Sequence, residues 1–137
     1  MKFMMIVKAS KESEAGVLPT EEDFALMAKY NEKLIKAGVM LDGTGLQPTS
    51  KGWKVQFDGK AKRTIVDGPF AEAKECIAGY WLIQTKTREE ALEWSKQIPF
   101  EEGEVEVRPL FELEDFPPSP ALDEHRKLRE QVDGQKH

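Results

Sequence analysis

The 137-residue chain carries one cysteine, Cys76, and two histidines, His125 and His137, both near its end. A lone cysteine excludes an intrachain disulfide. Without a histidine in the body, a Ser–His or Cys–His nucleophile pair, haem ligation or a zinc site would require the tail to fold onto it. No stretch approaches the roughly 20 apolar residues that span a bilayer. The N-terminal run Phe3–Val7 is too short for a signal-peptide core, with no small-residue cleavage site behind it. A concentration of basic charge is also missing. The net charge is -5, the pI is about 5.2, and Lys and Arg are interleaved with acids. Binders of phosphate backbones need clustered cations, so direct contact with nucleic acid or an anionic membrane surface is not expected. Gly43, Gly45 and Gly52 do not have the spacing of a phosphate-cradling loop. Cys76 opens an apolar strand without a histidine partner and reads as an inert core thiol. The expected setting is the cytoplasm, with no cofactor and no metal.

What is present is enough for one folded domain. A chain of this length buries roughly two-thirds of its unfolded surface, and 39% of the residues are apolar. Residues 2–8 predict a strand with apolar side chains in both phases, Phe3, Met5 and Val7 against Met4 and Ile6. Residues 9–19 read as a loop. Thr20 is an N-cap with Asp23 as a short capping-box acid, and Phe24, Met27, Ala28, Leu34 and Ile35 follow helical spacing to the stop at Gly38. Val39–Leu41 predicts a short strand. Trp53, Val55 and Phe57 alternate with polar residues as a half-buried strand does, and Asp58-Gly59 predicts a two-residue type I′ turn into a return strand at 62–66. One or two helical turns are expected at 71–75. Residues 77–85 form the strongest strand pattern, with Ile77, Gly79, Trp81 and Ile83 in one phase and Ala78, Tyr80 and Leu82 in the other. Thr87-Arg88-Glu89-Glu90 is a capping box, opening a helix whose Ala91, Trp94, Ser95 and Ile98 share a face. Residues 105–110 give the last strand. Pro117–Pro120 reads as a stiff spacer, 121–131 as a charged helix, and 132–137 as frayed. The domain is therefore placed at 1–112, with 113–137 as an extension.

Set aside the hairpin at 53–66, and the order is strand, helix, strand, strand, helix, strand. This α+β pattern is the split βαβ arrangement of ferredoxin-like domains, with both helices on one sheet face. The opposite face should then be polar, yet the strands at 2–8 and 77–85 are apolar in both phases. That face needs a cover. A second copy supplies one by closing a dimeric α/β barrel; the tail at 111–137 folded back is the other solution.

The segment Ile65-Val66-Asp67-Gly68-Pro69-Phe70-Ala71-Glu72-Ala73-Lys74-Glu75, followed by Gly79-Tyr80, resembles the YCII-related, DGPF-motif family. Further likeness lies in Lys36-Ala37-Gly38, Gly45-Leu46-Gln47-Pro48, Glu90-Ala91-Leu92-Glu93-Trp94 and Val105-Glu106-Val107-Arg108-Pro109. The resemblance covers about residues 1–112. It implies a ferredoxin-like fold paired as a dimeric α/β barrel, and little chemistry. One related branch resembles a dehydrochlorinase with a His–Asp acid–base pair. The histidine would fall near Phe24 to Met27, where nothing in this chain titrates. Relatives also occur beside extracytoplasmic-function sigma factors, which implies a regulatory or ligand-sensing context.

Asp67 is the first candidate. A carboxylate before Gly-Pro fixes a turn by accepting backbone N–H groups, or, desolvated by Phe70 and Trp81, serves as a general base. Glu72 and Glu75 are either paired acid–base carboxylates or charges placed by a helix dipole. Lys74 is a salt-bridge partner or an anion contact. Arg63 and Arg108 can clamp a ligand carboxylate or face solvent, and Tyr80 can donate into a cleft or pack at a dimer interface. The expected functions are binding or sensing of a small organic ligand by a homodimer, or a cofactor-independent lyase or isomerase step at Asp67.

Overall fold

A computed structural model describes residues 1–135. In chain order the elements are β1 (Lys2–Lys8), α1 (Lys11–Glu14), α2 (Glu21–Lys36), β2 (Met40–Gly45), β3 (Trp53–Asp58), β4 (Lys62–Asp67), β5 (Ile77–Gln84), α3 (Arg88–Lys96), β6 (Val105–Pro109) and α4 (Pro120–Gly134), with short 3-10 turns at Thr49–Lys51, Ala73–Glu75 and Leu113–Asp115. The fold is mixed α+β with antiparallel sheets.

β1 is central because it is apolar in both phases and both of its edges are paired. It runs antiparallel to β5 on one side and to β6 on the other, and β2 adds to the free edge of β5, giving the order β2-β5-β1-β6. Strands β3 and β4 pair only with each other, as a separate ribbon. Alternation then sorts the side chains. Phe3, Met5, Trp81 and Ile83 join Tyr30 and Leu34 of α2 and Ala91 of α3 in one buried cluster, so α2 and α3 cover the same face. Three aromatic rings lock that layer. Tyr30 meets Trp81 edge-on at 5.4 Å and Trp94 at 6.5 Å. The Tyr30 hydroxyl donates to the Trp94 carbonyl at 2.7 Å, and Trp81 Nε1 donates to Asn31 Oδ1 at 2.8 Å. Both polar handles are thus satisfied inside an apolar layer, as burial demands. The opposite face carries Met4, Ile6, Ala78, Tyr80 and Leu82, opposed in register to Glu106, Arg108, Asp42 and Thr44. Ile6 is buried and the other four are half-buried.

Several local expectations need correcting. The segment 9–19 contains helix α1, capped reciprocally by Ser10 and Ser13. In α2 the N-cap is Thr20, whose hydroxyl accepts from the Asp23 N–H, but Phe24 and Ile35 are exposed, and the buried stripe runs through Tyr30 and Leu34. The Thr87 box closes one residue early: Thr87 Oγ1 accepts from the Glu90 N–H, while Glu90 Oε2 accepts from the Lys86 N–H. The Asp58-Gly59 signal does mark a hairpin, yet Asp58 pairs with Lys62, leaving a three-residue loop. Only Gly59 there has positive φ, at 71°, whereas a type I′ turn needs two such residues. Trp53 and Phe57 are exposed rather than half-buried, because none of the described residues lies over that face of the ribbon. The segment 71–75 contributes one 3-10 turn. α4 begins at Pro120 under a Ser119 cap and runs to Gly134, further than the fraying expected from 132; residues 136 and 137 lie outside the described residues.

Leu34 is 0% exposed at the centre of the cluster. Leu34→Ala is expected to reduce the unfolding free energy by about 2–5 kcal/mol, measured by urea titration. Burial also raises the pKa of Tyr30 well above its ordinary value of 10.0. The unfolded chain therefore ionises first, and the stability that depends on a neutral Tyr30 is intact below pH 10 and lost as pH rises beyond it. Tyr30→Phe should be less stable at pH 7, lacking the bond to Trp94, but should lose less of its remaining stability between pH 9 and pH 11 than the wild type; parallel curves would contradict this.

Candidate functional site

The Asp67-Gly68-Pro69-Phe70 turn is held by the loop before β3. The Gly68 N–H donates to the Gly52 carbonyl at 3.0 Å. A Cβ on Gly68 would lie 1.8 Å from the Thr49 carbonyl oxygen, so the motif glycine is needed for close backbone approach. The Gly68–Pro69 peptide is cis. Two residues on, the Phe70 N–H donates to Thr49 Oγ1 at 3.1 Å. That hydroxyl in turn donates to Glu14 Oε2, and Glu14 Oε1 accepts from the Thr49 N–H at 3.1 Å. One carboxylate on α1 thereby fixes Thr49, and Thr49 fixes Phe70. Charge-assisted bonds of this kind are stronger than neutral ones.

Beside this junction lies a cavity of about 410 Å³ lined by Leu46, Thr49, Lys54, Phe70, Ala71, Glu72, Glu75, Cys76 and Ile77. Its volume falls within the range of small-molecule sites, roughly 300–1,000 Å³. Leu46, Phe70, Ala71 and Ile77 give it apolar walls. The Lys54 ammonium stands 4.1 Å from the Phe70 ring centroid, within cation–π range. Cys76 is buried, with Sγ directed at the Glu72 carbonyl at 3.3 Å. Burial, then Glu14, then Glu75 push its thiol pKa up, against an opposing pull from Lys54. A thiol kept protonated is a poor nucleophile. No group of three or more metal-ligating residues occurs among the described residues.

The candidates read from the sequence do not all converge here. Phe70, Glu72 and Glu75 line the cavity; Lys74 is exposed outside it. Asp67 is exposed and faces away. It is paired with Trp53, on the ribbon face opposite Lys54. Arg63 sits at the far end of that same face, with Nη1 donating to the carbonyls of Gly59 and Lys62 and its guanidinium 4.6 Å from the Phe57 ring centroid. Trp81 belongs to the helix-side core and does not desolvate Asp67. Tyr80 lies on the other sheet face, where its hydroxyl reaches Asp42 Oδ2 at 3.3 Å. Arg108 is exposed on that face, 3.8 Å from Glu106, which also pairs with Lys8 at 3.2 Å. The sequence reading missed Glu14, Thr49 and Lys54. Ser10-Lys11-Glu12-Ser13 was the available signal for the helix that delivers Glu14; Thr49 and Lys54 sit in segments whose role only the tertiary contact reveals.

The sequence model of the YCII-related domain matches residues 1–114. The chain belongs to that family. An uncharacterized protein of Rhizobium meliloti (strain 1021), R00369, is 30% identical over 105 residues, covering 72% of this chain and 84% of the relative. In this YCII-related domain the DGPF turn is thus part of a larger junction with α1 and the loop at Thr49. Gly68→Ala should test it. The added methyl can be accommodated only by moving the Thr49 backbone, so a loss of about 1–3 kcal/mol or more is expected. Gly45→Ala, whose Cβ would meet nothing closer than 3.9 Å, is the control and should be milder in the same denaturation assay.

Proposed function

We propose that this YCII-related domain binds a small organic ligand in the cavity beside the DGPF turn, as a binding or sensing module. The observation that carries the reading is the convergence of apolar walls with one cation and two carboxylates, Lys54, Glu72 and Glu75, in a cavity of about 410 Å³. Such sites bind through apolar contact and orient the ligand with a few polar groups. The favoured ligand is a compact aromatic or carbonyl compound, stacked against Phe70, with a polar group within reach of Lys54. Turnover by Asp67 is the weaker reading, because its carboxylate lies outside the cavity and stays in water.

The same proposal includes the architecture. The order β2-β5-β1-β6 fits a ferredoxin-like domain with β3 and β4 inserted, and the apolar strip Met4, Ile6, Ala78, Tyr80 and Leu82 fits a face closed by a second copy into a dimeric barrel. Leu122 of α4 is buried and lies outside the helix-side cluster, which supports a share for the extension in that cover.

A thermal-shift screen of small aromatic and carbonyl compounds, with hits checked by native mass spectrometry, tests the binding reading. A ligand at 100 times its Kd should stabilise the fold by about 2.7 kcal/mol. Phe70→Ser should weaken every genuine hit by tenfold or more, and Lys54→Met should weaken selectively those with an anionic or carbonyl group. Hits that bind Phe70→Ser as well as the wild type would place the site elsewhere.

A further inference from the structure

The β3–β4 ribbon presents an apolar face that none of the described residues covers. The register sets Trp53 opposite Asp67, Val55 opposite Ile65 and Phe57 opposite Arg63, so these six side chains share one face. Its four large apolar members are exposed, Trp53 by 65%, Val55 by 38%, Phe57 by 70% and Ile65 by 58%. An isolated two-stranded ribbon is marginal in water, and single-chain packing leaves this one without the support its composition is suited to receive. The alternation is otherwise strict: Lys54, Gln56, Asp58, Lys62, Thr64 and Val66 fall on the other face.

The charges on the apolar face indicate what covers it. Arg63 stands at one end and Asp67 at the other, four residues apart along β4, about 13 Å at strand rise, with Val55 and Ile65 midway. A two-fold axis through that midpoint lays the face on its own copy. Each Arg63 then meets the partner's Asp67, and Trp53 meets the partner's Phe57. Arg63 is already positioned for this by its bonds to the Gly59 and Lys62 carbonyls and its contact with Phe57. The Asp67 carboxylate has no hydrogen bond or ion pair among the described residues, so it is available. Self-complementarity of this kind is what an isologous interface requires.

We infer that the outward face of the β3–β4 ribbon is a docking surface for the same face of a second copy, with Arg63 and Asp67 as reciprocal charge partners. The contact is separate from the cavity and does not depend on ligand binding. A ribbon face this small falls well below the roughly 800 Å² per partner of a standard interface. It therefore adds to the assembly and is weak by itself.

Sedimentation equilibrium on the full chain tests it, in the wild type and in a Leu82→Arg background that removes any sheet-face contact. Wild-type ribbon association should appear as a measurable equilibrium in the Leu82→Arg chain at high micromolar concentration. Arg63→Asp and Asp67→Arg each create two like-charge contacts across the two-fold. Each should raise the dissociation constant roughly fivefold to tenfold, and the double exchange Arg63→Asp/Asp67→Arg should return it close to the starting value. Trp53→Ser should weaken association without being rescued by either charge change. Circular dichroism establishes that each variant is folded. A Leu82→Arg chain that remains a 15.6 kDa particle up to millimolar concentration would overturn the proposal. So would a double exchange that fails to restore association.

Discussion

Pairing along both edges of β1 is the constraint from which the rest of the molecule is laid out. A strand with neighbours on both sides cannot slip by one residue without exchanging its two faces, and here that exchange would move Phe3 and Met5 out of the aromatic layer. The register fixes β5, whose Trp81 and Ile83 must then face α2 and α3. Fixing β5 places Cys76 and Ile77 at its start, beside the DGPF turn. The candidate cavity is therefore set against the most firmly specified part of the sheet, although its other wall comes from a ribbon that shares no sheet with it.

That second wall depends on a different kind of interaction. Glu14 holds Thr49 through its backbone and its hydroxyl, and Thr49 holds Phe70. Three segments far apart in sequence are joined by one carboxylate and one hydroxyl, with Gly68 packed so closely on Thr49 that no side chain fits between them. Sheet pairing orients one side of the site, and a short chain of hydrogen bonds orients the other. The second support is local and polar, so it is the more sensitive to a single substitution.

Which features were legible in the sequence follows from this difference. β1, β5, α2 and α3 could be placed because apolar periodicity and Ser/Thr caps are written within each segment. The ribbon was legible from Asp58-Gly59, although the loop is one residue longer than that pair predicts. The cavity was legible only in part. Phe70, Glu72 and Glu75 travel with the motif, whereas Glu14, Thr49 and Lys54 arrive through tertiary contacts that no spacing records. Asp67 was given a role as the carboxylate that opens the motif. Alternation along β4 decides its direction, and Trp81, expected beside it, is claimed by Asn31 and Tyr30 on the helix side of the main sheet.

The ribbon separates two tasks by the same alternation. Lys54 and Val66 point one way, and Lys54 joins the cavity; Trp53 and Asp67, their neighbours in each strand, point the other. A residue on one face cannot serve the other without a register shift, so the chemistry of the cavity and the chemistry of the outward face are free to differ. The sequence shows that they do: polar side chains dominate the face that includes Lys54, and large apolar side chains dominate the opposite face, with both faces largely exposed in the single chain. On a ribbon evolved only to complete a pocket, the outward positions would carry the polar residues that keep a monomer soluble. Trp53, Phe57 and Ile65 in those positions, bounded by charges of opposite sign, are better explained by a surface that is covered when the protein works.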